Sequence, residues 1–299
     1  MQKVLVAGAT GYLGRFVVHE FKRRGHWVRV LARNPKKLEQ TGLFFEPAVI
    51  DEIDEVFTGE VTRPETLQGL CDDIDIIFSS IGITRQQEKL TYRDVDYQGN
   101  RNILDIALLK TVKNFIYVSV FNAHIYEYLE IVRAHEDFVR DLQKSELEYT
   151  IVRPTGYFSD MTEFLKMAKS GRVYLIGNGE NKINPIHGGD LAKVCVDAVN
   201  SQEHEISAGG PVIYSTQDIA DLAFSTLGKT PKVTRIPLWL AKVAVMAIRP
   251  FNKQRSDLAE FFIAAGQGDG VAPVTGVYKL ETYYEDLVAE WLKASQLKS

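Results

Sequence analysis

The chain has 299 residues, 45% hydrophobic and 25% charged, the composition of an ordinary globular protein with one sizeable core or two adjoining ones. Its formal charge of -4, with no long Lys/Arg block, excludes a nucleic-acid binder held by bulk electrostatics, and no apolar run approaches the ~20 residues of a membrane span. Cys71 and Cys195 lie in unrelated surroundings without metal-ligand spacing, so neither a disulfide framework nor a metal site is expected, and a reducing compartment is.

The first strand begins almost at Met1, which leaves no room for a leader peptide and sets a cytoplasmic expectation. Val4, Leu5 and Val6 are a continuous apolar run suited to a strand buried on both faces. Three glycines follow at Gly8, Gly11 and Gly14, enclosing Thr10, Tyr12 and Leu13, and an amphipathic helix then continues through Phe16, Val17 and Phe21. In a strand–turn–helix, Gly8 makes the tight turn, Gly11 lets backbone approach a pyrophosphate and Gly14 packs helix on strand. The helix N-terminus then points its amides at an anion. A dinucleotide is the expected ligand.

The segment GATGYLGR (residues 8–15) resembles the short-chain dehydrogenase/reductase superfamily in its extended and atypical branches. That resemblance implies a Rossmann-type, doubly wound parallel α/β sheet over residues 1–155. A smaller substrate-side region is implied over 156–299, with a return strand and helix near 183–199.

Trp27 to Leu31 reads as the second strand, at whose end an acidic residue would accept hydrogen bonds from an adenosine ribose. The chain instead runs into Ala32-Arg33-Asn34-Pro35-Lys36-Lys37. Arg33 and Lys37 suit a 2'-phosphate, so NADP(H) is expected over NAD(H); the alternative is a solvated basic loop. Val56 to Gly59 is a third strand, and Thr62-Arg63-Pro64-Glu65 predicts a helix through about Cys71. Asp75 to Ser80 is a buried fourth strand stopping at Gly82, which would place Ser80, Ile81 and Gly82 along the nucleotide. Ile83 to Tyr92 is polar and expected to be mobile.

A helix is predicted from Val95 to about Lys110. It resembles the fourth-helix motif of extended short-chain enzymes, with Asp96 and Asn100 in place of the usual polar residues. Phe115 to Val120 is the fifth strand. In catalytic members a serine near its end bonds the reacting oxygen, so Ser119 is a candidate, with a structural role as the alternative.

Short-chain enzymes that oxidise alcohols usually carry Tyr-x-x-x-Lys on the next helix, yet none of the 13 tyrosines here has lysine four residues later. The helix itself is legible as an apolar stripe of Tyr128, Ile131, Val132, His135, Phe138, Val139 and Leu142. With the segment through Arg153-Pro154-Thr155-Gly156-Tyr157-Phe158 it resembles nitrogen-metabolite-repression regulators, isoflavone reductases and divinyl chlorophyllide reductases. The resemblance implies that His135 stands at or next to a nicotinamide-ribose lysine, as a ribose donor or proton relay; the alternative is a core histidine. It also puts the stretch Arg153 to Phe158, Pro154 included, beside the nicotinamide, with Tyr157 as another proton donor unless Pro-Thr-Gly merely shapes the crossover.

Arg172 to Ile176 is a strand, Ile183 to Ala192 matches the family's return segment with Asp190 expected to cap a helix, and Ser215 to Leu227 is amphipathic. Pro237 to Pro250 is apolar on most faces and is read first as buried, with a lid, a partner surface or peripheral membrane contact through 238–248 as alternatives. Phe261, Phe262 and Ile263 add a second apolar cluster, so any small-molecule substrate is expected to be hydrophobic, and the protein a monomer or homodimer. Three functions stand: an NADP(H)-dependent reductase of a conjugated or carbonyl compound, a non-catalytic NAD(P)H sensor or assembly factor, and a nucleotide-sugar epimerase.

Overall fold

The computed structural model describes residues 1–83 and 90–296; most of the Ile83–Tyr92 segment expected to be mobile lies outside them. The elements in order are β1 (Lys3–Ala7), α1 (Tyr12–Arg23), β2 (Trp27–Ala32), β3 (Glu55–Thr58), β4 (Ile76–Ser79), a π-helical stretch (Arg93–Gly99) running into α2 (Asn100–Ala107), and β5 (Asn114–Val118). A short α3 (Ala123–Tyr126), α4 (Glu130–Gln143) and β6 (Glu148–Pro154) follow. Next come α5 (Phe158–Lys169), β7 (Val173–Ile176), β8 (Lys182–Ile183), α6 (Gly188–Asp197) and β9 (Glu205–Ala208). The chain closes with β10 (Tyr214–Ser215), α7 (Thr216–Thr226), β11 (Val233–Ile236), α8 (Leu238–Ile248), α9 (Lys253–Ala265) and α10 (Leu280–Gln296).

Two compact units form, one from Met1–Arg153 with Leu191–Ser207, the other from Pro154–Asp190 with Ala208–Ser299. The main sheet has the strand order β3-β2-β1-β4-β5-β6-β9, and every pairing from β3 through β6 is parallel. This is the doubly wound order expected. Its strands are nearly continuous apolar runs because helices cover both faces. Leu5, Ile77, Phe115 and Ile151 share a core with Phe138, Val139 and Leu142 of α4 and with Ile103 and Leu104 of α2. The order reverses between β1 and β4, and a dinucleotide binds at the carboxyl ends of the strands flanking such a switch.

In the second unit Phe158, Leu165, Phe224, Tyr283 and Tyr284 are fully buried, the Phe158 and Tyr283 rings lying 5.4 Å apart. Ser215 caps α7 reciprocally with Asp218, whose amide bonds the serine hydroxyl.

Several expectations need correction. The helix foreseen from Thr62 to Cys71 is only a 3-10 turn over Pro64–Leu67, and Thr62 spends its hydroxyl on Glu60 rather than on a cap. The long helix starts at Arg93, not Val95, and in wider π turns. Tyr128 precedes α4 and is exposed, because the chain turns through Asn122 at φ +53 and a separate helical turn before α4 begins at Glu130. Asp190 has the structural role expected: it lies in the first turn of α6, its Oδ2 accepting the amides of Val277 and Tyr278 at 2.7 Å. The largest departure is α8. Only Ala241 among its eleven residues is buried, so the burial expected for Pro237–Pro250 is overturned. Among the described residues, no helix is long and apolar enough to cross a membrane.

Candidate cofactor site

The turn from β1 into α1 is shaped by contacts that only glycine permits. Gly8 sits at φ +87, and a Cβ there would meet the Ser80 hydroxyl at 2.8 Å, so the ends of β1 and β4 touch backbone to backbone. A Cβ on Gly14 would stand 2.1 Å from the Gly8 carbonyl oxygen and 2.8 Å from the Ala9 Cα, which fixes how closely α1 approaches the strand. The Gly11 amide donates to the Gly8 carbonyl at 2.9 Å and closes the turn. Gly11 is exposed, serves as N-cap without a side-chain hydrogen bond, and no acidic residue stands in the first turn of α1. The positive end of the helix, bearing Tyr12 and Leu13, is therefore open to an anion, with Thr10 half-buried beside it.

Arg15, one residue beyond the glycines, is 8% exposed. Its Nη1 donates to the Gln40 carbonyl at 2.6 Å, its Nε is buried without a hydrogen-bond partner, and it has no ion pair among the described residues. A buried cation without a counter-ion is costly, and a phosphate would offset that cost. The same bond ties α1 to the segment after β2 that carries the expected 2'-phosphate residues. There Arg33 is exposed and 3.2 Å from Glu60, while Lys37 lies exposed on a 3-10 turn capped by Asn34. These residues fit an NAD(P)H dinucleotide: two close backbone approaches, an uncapped helix terminus, and the buried Arg15 guanidinium bonded to the segment that follows β2.

At the neighbouring strand, Ser80, Ile81 and Gly82 are held from behind. Asn100 accepts from the Ser79 hydroxyl at 2.5 Å and donates to the Ile81 carbonyl at 3.3 Å, and Asp96 accepts the Ile83 amide at 3.1 Å. Asp96 is fully buried on the π-helical stretch. Its Oδ1 lies 3.2 Å from His135 Nε2, but their alignment falls short of a hydrogen bond, leaving Oδ1 without one. Burial pushes the Asp96 carboxyl above its ordinary range, and His135 and the Ile83 amide only partly oppose this. The other ring nitrogen, His135 Nδ1, is 2.5 Å from the hydroxyl of Tyr117, a completely buried phenol that burial and the Asp96 and Glu136 charges keep well above its usual pKa. With a neutral ring, the phenol donates to Nδ1 and Nε2–H faces the carboxylate. Nδ1 of His135 is thus taken by Tyr117, while Nε2 lies beside the Asp96 carboxyl without a hydrogen bond. A Cβ on Gly82 would lie 3.3 Å from both His135 Cε1 and Asp96 Oδ1, so the pair backs directly onto the Gly82 main chain.

Ser119 is 5% exposed and belongs to a second buried cluster. It donates to Glu136 at 2.6 Å, and Arg153 grips both Glu136 oxygens at 2.7 and 2.9 Å while donating to the Ser119 oxygen at 3.2 Å and to the Val120 carbonyl. Burial pushes the Glu136 carboxyl up, but Arg153 and Ser119 outweigh it and hold it below the ordinary range. Pro154 closes β6 in a buried position. In the second unit Tyr157 is half-buried and opens α5 as its N-cap residue, its backbone bridging to Ile186.

The residues that sequence reasoning passed over are Arg15, Tyr117 and Glu136, and Arg153 was read only as part of the stretch beside the nicotinamide. Arg15 left a signal, since it directly follows the third glycine. Asp96 and Asn100 stood out as departures from a pattern, but their partners could not be read.

A family model described as NAD(P)H-binding matches residues 8–202. The photosystem II assembly factor Ycf39 of Trieres chinensis is 26% identical over 80% of this chain and 74% of its own length. The chloroplastic divinyl chlorophyllide a 8-vinyl-reductase of Cucumis sativus is 26% identical over 98% of this chain and 78% of its own. Among solved structures, a Citrobacter triphenylmethane reductase complexed with NADP(H) aligns with a TM-score of 0.73 at 16% identity, covering 95% of this chain and 99% of that one, a likeness of fold.

Proposed function

We propose, from the premise that this chain belongs to the NAD(P)H-binding family, that it is an NADP(H)-dependent oxidoreductase of the atypical short-chain type that reduces a hydrophobic conjugated or carbonyl compound. The observation that carries the cofactor half of this reading is Arg15, a buried guanidinium without a counter-ion among the described residues, bonded to the Gln40 carbonyl just beyond the Arg33–Lys37 segment. Arg15, Arg33 and Lys37 would receive the 2'-phosphate, the amides of Gly11 to Leu13 the pyrophosphate, and the Ser80–Gly82 backbone the nucleotide beyond it. The bound nicotinamide supplies the hydride, and the chain supplies position.

The absence of Tyr-x-x-x-Lys favours a reductase over an alcohol dehydrogenase or epimerase. His135, its Nδ1 taken by Tyr117, acts in this reading as a positioning residue behind the Gly82 main chain, and water provides the proton. The vinyl-reductase named above supports the choice of a conjugated substrate. A second reading is favoured by the exposed apolar helix α8 and by the assembly-factor relative: NADP(H) binding without turnover, read out through a partner.

The test is a fluorescence titration of NADPH and NADH with the wild type, Arg33→Ala and Arg15→Met, followed by a turnover screen of hydrophobic enones and quinones. A charge-assisted bond is worth ~1.5–3 kcal/mol, so each variant should lower the NADPH:NADH affinity ratio by about 10- to 100-fold. An unchanged ratio would defeat the NADP assignment. Tight NADPH binding without oxidation of the nicotinamide would leave only the second reading.

A further inference from the structure

α8 is an apolar helix that the protein does not cover. Its outer side carries Trp239, Val243 and Met246 at helical i, i+4, i+7 spacing, 66%, 55% and 73% exposed, and Phe251 follows at 91%. Ala241, with half-buried Leu238 and Val245, faces inward. The helix is not a frayed end: it packs beside α9, where the Ser256 hydroxyl donates to the Val245 carbonyl at 3.2 Å. An exposed stripe of this kind on a folded helix marks a surface that meets another apolar phase.

Charge says which one. The chain carries 39 acidic and 35 basic residues, yet between Asp221 and Asp257 it has no Asp or Glu and seven Lys or Arg. Lys229 and Arg235 are turned to carbonyls of their own unit, those of Lys169 and Asn178. Lys242 and Arg249, seven residues apart, border the apolar stripe on α8, and exposed Lys242 and Arg255 have no ion pair among the described residues. Arg249 reaches only the edge of ion-pair distance from Asp257, at 4.0 Å. An apolar stripe edged by cations with aliphatic stems matches a lipid surface, where the stems lie along acyl chains and the charges stay among anionic headgroups. A self-complementary seam with a second copy would instead bring these cations toward one another.

We infer that the α8 face, Trp239, Val243, Met246 and Phe251 with Lys242 and Arg249, docks the protein on the surface of an anionic lipid bilayer. At ~1.5 Å per residue its eleven residues lie along the interface over about 16 Å and do not cross it.

The experiment is co-sedimentation of the full chain with phosphatidylcholine vesicles, with and without roughly 30 mol% phosphatidylglycerol, alongside light scattering of the protein alone. The wild type should bind the anionic vesicles and lose that binding in high salt. Lys242→Gln with Arg249→Gln should weaken it by about 25-fold, roughly fivefold per cation. Trp239→Ser with Met246→Ser should abolish it. These side chains are exposed, so melting temperatures should stay at the wild-type value and show that lost binding is not unfolding. Absence of vesicle binding overturns the inference, as does binding indifferent to both double variants. So does a wild-type dimer that Trp239→Ser with Met246→Ser splits, since the stripe would then be a seam between copies.

Discussion

Gly14→Ala adds a single methyl group where the structure has no room for one. Its carbon would sit 2.1 Å from the Gly8 carbonyl oxygen and 2.8 Å from the Ala9 Cα, about 1 Å short of ordinary contact. Both obstacles are backbone, so no rotamer change relieves them, and α1 must move away from β1. Overpacking of this kind costs ~1–3 kcal/mol, here toward the upper end, while alanine returns ~1 kcal/mol of helix propensity. The net loss is about 2 kcal/mol, or roughly 4–8 °C in melting temperature for a unit of this size. The same displacement shifts the amides at the open end of α1 and should raise the NADPH dissociation constant by about tenfold or more. Gly25→Ala is the control. Gly25 lies at φ +79 with no heavy atom within 4 Å of a Cβ, so alanine there meets only the left-handed backbone penalty of ~1–2 kcal/mol and should leave binding intact. Thermal melts with NADPH titrations separate the two. If Gly14→Ala melts and binds as the wild type does, or if Gly25→Ala damages binding equally, the steric reasoning is wrong.

Arg153→Met strands the Glu136 carboxylate, and should cost ~3–5 kcal/mol, seen as a drop of about 10 °C or more in a thermal melt. Asp96→Asn should act oppositely at neutral pH. A carboxyl whose pKa burial has raised adds stability at low pH that is lost as the pH climbs through its folded value, so the asparagine variant should gain on the wild type in melts run from pH 4 to pH 8. Arg23 and Arg24 hold Glu20 down at about 2, so its contribution is complete above the ordinary glutamate range and lost as pH falls from roughly 4.5 toward 2; Glu20→Gln should destabilise at pH 7 and much less at pH 2.5 by denaturant titration.

The parts legible in the sequence are those written in local periodicity and backbone constraint. Val4–Val6 running into Gly8, Gly11 and Gly14 specified strand, turn and helix because each glycine answers to a contact within a few residues. The apolar stripe of α4 was visible from Ile131 to Leu142, but not the break that excludes Tyr128, since one residue at positive φ, Asn122, carries no periodic signal. Buried pairings were out of reach. Asp96 meets His135 across 39 positions and Arg153 meets Glu136 across 17, and no spacing rule links residues on different elements. The reading of Pro237–Pro250 failed for a different reason: apolar composition reports what a segment avoids, which is water, and not whether its own fold provides the cover.

The first unit is not one stretch of chain. It takes Met1–Arg153, gives up the chain for Pro154–Asp190, and takes it back for Leu191–Ser207, which supplies most of α6 and the edge strand β9. During synthesis, then, β6 is made well before the strand that will cover its open side. A nascent chain halted near residue 155 would display a long, unpaired parallel edge of a kind that invites aggregation. Completion of the nucleotide-binding half must wait until at least residue 207 has emerged, with part of its neighbour already made.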